Sequence, residues 1–466
     1  MAKAMSSAAL PRKTLVSART VDMTEGNILS HILKFALPLL LGNLFQQLYN
    51  MVDTWVIGQF GSNEAYAAVG NTGPIINILI GFYSGFATGA GVLIARHFGR
   101  KEAENVKKDV HTIVTLTLFM CIVFTALGVI LAPFAVQILL GAESAVAPEA
   151  TAYLTVYFAG ISGLLLYNIG AGILRAVGDS RRPFYYLVVA AAINVALDLL
   201  FVATFKMGVV GVALATVLSQ ATSAVLVFTT LIKSDSVVKV DPRELRIDGA
   251  TLKEILLLGL PAAIQMSLTA LANVFVQGYI AGADGNQTYN LGGFTTYSKI
   301  DMILFLPVQS LSLAVSTFVG QNSGVGNRRR ARRGTYLALI SSLIMSGLLI
   351  VVIMLFAPAL SSIFNPDENV VEVSSVLLRF ITPFYITCSF NQIFAASLRG
   401  EGNTTAPMVA MLTCFVGIRQ LYLFLMTSYI SNALIPIVVS YPVGWITCAI
   451  FTTVYHSLWR PKRTPA

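Results

Sequence analysis

Charge is what this sequence has least of. Only 11% of its 466 residues are Asp, Glu, Lys or Arg, less than half of the roughly 25% usual in soluble domains. A soluble enzyme or nucleic-acid-binding domain of this length would need far more charged surface. Histidine is equally scarce. His31, His97, His111 and His456 are scattered near the ends of apolar runs, without the close spacing of a zinc site. The four cysteines, Cys121, Cys388, Cys414 and Cys448, stand inside apolar runs and form no C-x-x-C pair. Neither a disulfide framework nor a bound metal centre is expected of them. A cleavable signal peptide is not expected either, because residues 1–33 are polar and mildly basic and the first apolar run is long enough to span a membrane.

What is present is apolar. Hydrophobic residues make up 56% of the chain and the mean hydropathy is +0.74, enough for twelve membrane spans of ~20 residues each. The runs fall near 34–58, 66–94, 110–134, 151–174, 184–205, 208–232, 255–281, 291–318, 335–360, 373–397, 407–429 and 434–457. With the N-terminus inside, the inner segments hold 27 of the 31 Lys and Arg residues and the outer loops hold only Lys206. Glu64, Glu143, Asp284 and Asp367 fall on the outer side. This is the positive-inside pattern, so the net charge of +9 marks cytoplasmic loops rather than a nucleic-acid surface. The expectation is a multi-pass protein of the plasma (cytoplasmic, or inner) membrane with both termini cytoplasmic.

The chain repeats itself at an offset of about 224 residues. Leu174-Arg175-x-x-Gly178 with Pro183 returns as Leu398-Arg399-x-x-Gly402 with Pro407, Leu37-Pro38 as Leu260-Pro261, and Ala132-Pro133 as Ala357-Pro358. Six spans per half is an even number, so both halves enter the membrane in the same direction. Parallel repeats of this kind build alternating-access transporters. The expected organisation is an N-terminal segment over 1–33, a first lobe over 34–232 (spans 1–6), a linker over 233–254, a second lobe over 255–457 (spans 7–12) and a tail over 458–466.

Polar side chains at membrane depth each need a reason, since a carboxylate there costs at least ~2.5–3.5 kcal/mol. In span 1, Asn43, Gln46, Asn50 and Asp53 share one helical face, with Tyr49 one turn before Asp53. In span 5, Asn194 and Asp198 are four residues apart and stack on one face; span 6 adds Thr216. The bland alternative is a solvated Asp53 near the outer end of its span, or simple cross-linking of helices. The repeat weighs against it. Asp53 maps to Val276, Asn194 to Ile418, Asp198 to Tyr422 and Thr216 to Ser440, so the acids occur in one half only. Helix glue has no reason to be so one-sided, whereas a site for H+ or Na+ needs to be built once. The second half has its own polar set: Gln265, Thr269, Asn273 and Gln277 in span 7, Lys299 and Asp301 in span 8, and Arg419 in span 11. Arg419 is expected to face a cavity with Asp301 as a candidate partner; the alternative for Lys299 and Asp301 is an interfacial position from which they snorkel.

Ala36-Leu37-Pro38, Tyr49-Asn50-Met51-Val52-Asp53-Thr54, Phe318-Val319-Gly320-Gln321-Asn322-x-Gly324 and the twin Leu-Arg-x-x-Gly segments together resemble the multidrug and toxic compound extrusion (MATE) family, from about residue 25 to 457. The resemblance implies an all-α membrane protein of twelve transmembrane helices in two six-helix lobes around a V-shaped cavity. It also implies export of amphipathic organic cations by antiport. The pattern is similar to the DinF-like branch, whose coupling site lies in the first lobe. That branch's acid and tyrosine of span 1 fall on Asp53 and Tyr49, its Asn and Asp of span 5 on Asn194 and Asp198, and its threonine of span 6 on Thr216. Nothing in 255–281 is acidic, which departs from the NorM-like branch and weighs against a Na+ site in the second lobe.

The expected function is therefore a secondary active multidrug efflux antiporter, not an enzyme and needing no cofactor beyond a coupling H+ or Na+. Na+ would sit at Asp53, Asn194, Asp198 and Thr216. Candidates for the substrate cavity are Gln46, Asn50, Gln265, Thr269, Asn273, Gln277, Asp301 and Arg419. Small amphipathic molecules and membrane lipids are the expected partners, nucleic acid is not, and one chain with both lobes suffices as a monomer. Two rivals remain open: a flippase of the same superfamily acting on lipid-linked precursors, for which a buried Arg419 would be the feature, and a channel or membrane receptor.

Overall fold

A computed structural model describes residues 21–140 and 144–458. Residues 1–20 of the expected N-terminal segment, residues 459–466 of the tail, and Glu143 lie outside the described residues. Among the described residues eleven helices are long and apolar enough to cross a membrane, and twelve spans result when a bent helix pair is taken as one. In chain order, spans 1–3 are Ile28–Phe60, Glu64–Gly99 and Ala103–Ile138. Span 4 is the pair Ala147–Ala159 and Ile161–Ala176, bent by 47°. Spans 5–8 are Arg181–Thr204, Gly208–Ile232, Gly249–Ala281 and Gln287–Gly324, and spans 9–12 are Arg328–Phe364, Glu368–Gly400, Thr405–Tyr429 and Leu434–Leu458.

Several helices begin or end beyond the apolar runs, because polar residues cap them outside the hydrophobic stretch. Asn27 caps span 1, its Oδ1 accepting from the Ser30 N–H at 3.0 Å. Asp248 caps span 7 by accepting from the Thr251 N–H at 2.9 Å; this backbone bond holds its carboxyl below the usual range. The non-helical linker is thus shorter than 233–254 and runs over 233–248. It is pinned to span 3, where the Asp241 N–H donates to His111 Nε2 at 3.1 Å and the Asp248 N–H to Thr112 Oγ1 at 3.2 Å.

The twin Leu-Arg-x-x-Gly segments are a matched pair of helix ends. Gly178 and Gly402 both take left-handed φ, +88° and +87°. The Gly178 and Asp179 N–H groups close on the carbonyls of Arg175 and Leu174 at 2.9 and 3.0 Å; those of Gly402 and Asn403 close on Arg399 and Leu398 at 2.8 and 2.9 Å. This is the Schellman arrangement, which requires a residue free of a Cβ at the turn.

The lobes close over one another at the end where the described chain begins and ends. There Met23, Ile32, Phe35 and Leu39 share a core with Leu311, Val315, Phe318 and Val319 of span 8. Spans 2 and 7 approach so closely that a methyl at Gly85 would lie 2.4 Å from the Ala262 backbone. At the end of span 2, one at Gly99 would lie 2.1 Å from the Gln321 carbonyl oxygen. Gln321 and Asn322 of span 8, both fully buried, tie this end together. Gln321 Nε2 donates to the Ala176 carbonyl and its Oε1 accepts from the Met23 N–H, both at 3.0 Å. Asn322 Nδ2 donates to the Met23 carbonyl at 3.2 Å. Arg330 completes the clamp, donating to the carbonyls of Met23, Glu25 and Gly26 at 2.8–3.2 Å. Toward the opposite end Asn50, Asn273 and Gln277 are exposed. Amides are not left against lipid tails, so these positions are expected to meet water or a polar ligand rather than hydrocarbon.

All four cysteines are buried and free.

Candidate functional site

Span 1 carries Asp53 on a buried face; the carboxyl is only 7% exposed. The single hydroxyl proton of Thr216 in span 6 is shared between the Asp53 Oδ2 at 3.3 Å and the Val212 carbonyl at 3.0 Å. Asn194 and Asp198 of span 5, both fully buried, lie within side-chain reach of the same carboxylate. Tyr49 is buried one turn before Asp53 and lies against Gln46 and Gln220. The structure thus brings together all five residues expected to form the first-lobe site. It adds Tyr153 and Tyr157 of span 4, whose rings stack at 6.2 Å and which feel the charge of Asp53, and Gln220 of span 6. These three were legible only as polar or aromatic residues in apolar runs, of a kind that is ordinary in membrane spans.

The chemistry of this cluster is defined by its orphans. Asp53 Oδ1, both Asp198 carboxylate oxygens, and both polar atoms of the Asn194 amide are buried without a hydrogen-bond partner. Two adjacent carboxylates away from water repel each other and each forfeits hydration, so they are not both ionised and bare. A proton shared by the pair relieves the repulsion. So does a hard cation such as Na+, which favours oxygen donors of the kind that carboxylates, an amide carbonyl and a hydroxyl supply. The residues present therefore fit either ion. Span 5 also changes geometry here, because Leu199–Thr204, directly after Asp198, forms a π-helical segment, a feature frequent at functional sites.

The second-lobe candidates do not form one cluster. Gln265 is buried, its Nε2 donating to Met411 Sδ at 2.8 Å, and its carbonyl accepts from Thr269 at 2.7 Å. Asn273 and Gln277 are exposed farther along span 7, and Asn50 is exposed on span 1, with Gln46 partly buried. Asp301 accepts from the Tyr297 hydroxyl at 2.7 Å. Arg419 is 2% exposed and makes no ion pair with Asp301, contrary to the pairing considered from sequence. The Tyr441 ring lies 5.5 Å from the Arg419 guanidinium and is within electrostatic reach of Asp301 as well. Asp301 is held within the lobe rather than snorkelling, while Lys299 is exposed and sits 5.9 Å over the Phe364 ring.

Comparison with known proteins agrees with this architecture. The MatE family model matches twice, over residues 38–200 and 261–425, one match in each half. A probable multidrug resistance protein of Bacillus subtilis, YoeA, is 28% identical over 439 residues, which cover 92% of this chain and 94% of that protein. An FAD transporter of Shewanella oneidensis is 27% identical over 405 residues, 86% of this chain and 88% of that protein. Among solved structures, a MOP superfamily transporter from Pyrococcus furiosus superposes with a TM-score of 0.89 at 23% identity, covering 95% of this chain and 98% of that one. An outward-facing MATE family transporter also superposes at 0.89 and 23% identity with the same coverage. At that identity the structures speak to the shared fold. The double family match across most of the sequence carries the conclusion: the chain belongs to the MatE family, a multi-pass integral membrane transporter and not an enzyme.

Proposed function

We propose that this protein exports amphipathic organic cations across the plasma membrane, with both termini cytoplasmic, in exchange for H+ or Na+ bound at Asp53, Asn194, Asp198 and Thr216. The observation that carries the reading is the buried carboxylate pair with its orphaned oxygens. Ion binding from the outside neutralises the pair and favours one arrangement of the first lobe; substrate from the cytoplasm favours the other. Antiport requires only that the two ligands prefer different states. Relatives named as multidrug resistance and multidrug export proteins support the substrate class. Gln46 and Asn50 of span 1 and Thr269, Asn273 and Gln277 of span 7 would meet the substrate from the two lobes. One chain holds both lobes, so a monomer suffices.

The test is uptake of ethidium into proteoliposomes under separately imposed Na+ and pH gradients, for wild type, Asp53→Asn and Asp198→Asn. One gradient should drive transport in the wild type, and both variants should lose at least tenfold of the driven rate. Full driven transport in both variants would overturn the first-lobe site.

The lipid-linked-precursor flippase keeps one observation in its favour, the buried Arg419, which suits an anionic headgroup. No transport of any cation under either gradient would move that reading to the front.

A further inference from the structure

We propose that the second lobe carries an anion-binding subsite at Arg419, which takes the carboxylate or phosphate of an aromatic substrate. The proposal deepens the transporter reading and rests on it for physiological meaning, although the site itself is a matter of binding alone.

Arg419 stands in the middle of span 11, directly after a π-helical segment over Thr413–Ile418. Its Nε and Nη2 are buried without a partner, and the ring of Tyr441 lies 5.5 Å from the guanidinium. A guanidinium cannot shed its charge to escape burial, so a fixed cation is held inside the membrane with no ion pair to it among the described residues. Two hydroxyls on the elements packed near it are in the same condition. Ser440 Oγ, next to Tyr441, and Tyr385 Oη are both buried without a partner. Gln420, the neighbour of Arg419, is already committed to the Ala272 carbonyl at 2.9 Å. The walls are aromatic. Phe415 and Tyr441 lie 5.8 and 5.5 Å from the guanidinium, and Trp445 lies 5.8 Å from Tyr441 and 5.1 Å from Tyr385. Spare donors with ring faces beside them suit an aromatic acid or an aryl phosphate.

The repeat sharpens the point. Ser440 is the mate of Thr216, Tyr422 of Asp198 and Ile418 of Asn194. The first lobe holds spare acceptors and the second spare donors, so the two halves offer opposite polarity; of the donors only Ser440 stands at a matched position, Arg419 and Tyr385 aligning with Val195 and Ile161. A cation fits one and an anion the other, and the lobes need not compete for the same ligand.

Trp445 supplies the readout. With Trp55→Phe and Trp459→Phe, it is the remaining tryptophan, and 4-nitrobenzoate, 4-nitrophenyl phosphate, neutral 4-nitrobenzamide and cationic 4-nitrobenzyltrimethylammonium serve as quenching probes in nanodiscs without any gradient. Saturable quenching by either anion, at least tenfold tighter than by the amide or the cation, is the expected result. Arg419→Gln should weaken anion binding at least tenfold and Arg419→Lys should restore part of it, with an unchanged circular dichroism spectrum and elution volume. Equal quenching by all four probes, or unchanged anion affinity in Arg419→Gln, would overturn the subsite. If Arg419→Gln fails to fold, the probe series on Arg419→Lys and the parent decides: no anion preference in the parent overturns the proposal. The lipid headgroup is the other source of the same chemistry. Competition by phosphatidylglycerol nanodiscs against phosphatidylcholine ones would assign the site to lipid and overturn the substrate reading. Because no gradient is applied, failure of cation antiport and failure of this site remain distinguishable.

Discussion

At the scale of single residues, function here depends on which polar atoms have partners. Asp53 has a described donor, Thr216, and its other oxygen has none. A hydrogen bond to a charged group contributes roughly 1.5–3 kcal/mol. Thr216→Val, which keeps the shape and removes the hydroxyl, should therefore shift the half-saturating concentration of the coupling ion by about tenfold or more. Thr216→Ser should stay near wild type. The measurement is the ion dependence of driven uptake, and an unshifted Thr216→Val would remove the hydroxyl from the site. The candidate acids were legible in the sequence because Asp53 and Asp198 interrupt apolar runs and lack mates in the second half. Tyr153 and Tyr157 were not, because aromatic residues are ordinary in a membrane span and only the fold turns them toward Asp53.

At the scale of elements, the repeat is written most clearly in helix ends. Gly178 and Gly402 share left-handed φ, and a Cβ at Gly178 would lie 2.3 Å from the Val21 carbonyl oxygen while one at Gly402 would lie 2.7 Å from Arg96 Nη1. Glycine-to-alanine at a compatible site stabilises by about 0.4–1 kcal/mol, whereas alanine at either of these positions should destabilise by more than that. Thermal unfolding should show the drop for Gly178→Ala and Gly402→Ala. Gly278→Ala, a helical position with no atom within 4 Å of the added methyl, should unfold at or above the wild-type temperature. Equal midpoints for all three would contradict the capping role. Span boundaries were less legible. Apolar runs report only the stretch in contact with hydrocarbon, whereas a helix ends where its terminal backbone groups find caps. That is why Asn27 and Asp248 extend spans 1 and 7 beyond their runs. The bend in span 4 left no proline as a signal between Ala159 and Ile161.

At the scale of the molecule, the closed end is a lock between lobes. Gln321 joins Ala176 of the first lobe to Met23 through two 3.0 Å bonds in a fully buried setting. Gln321→Ala leaves both partner groups without their bond, at a cost of about 1–3 kcal/mol each, and this falls on the state with that end closed. The expected consequence is a population shift toward opening there. In a background with the four cysteines replaced, Ser316→Cys, buried between the lobes beside Ala176, should react faster with a maleimide when Gln321→Ala is added. An unchanged rate would mean that the packing of spans 1, 2, 7 and 8 alone sets the closed state.

The sequence by itself determined the membrane class, the spans and the duplication, because hydropathy and repeated segments are properties of the chain read locally. It also determined that the acids belong to one half. Only the tertiary structure decided which polar groups meet. The convergence of Asp53, Asn194, Asp198 and Thr216 depends on how spans 1, 5 and 6 rotate and pack, and the same packing places Tyr441 beside Arg419 and leaves it without an ion pair to Asp301. Helical periodicity gives the face on which a residue lies; what that face looks at is set by neighbouring helices far away in the chain.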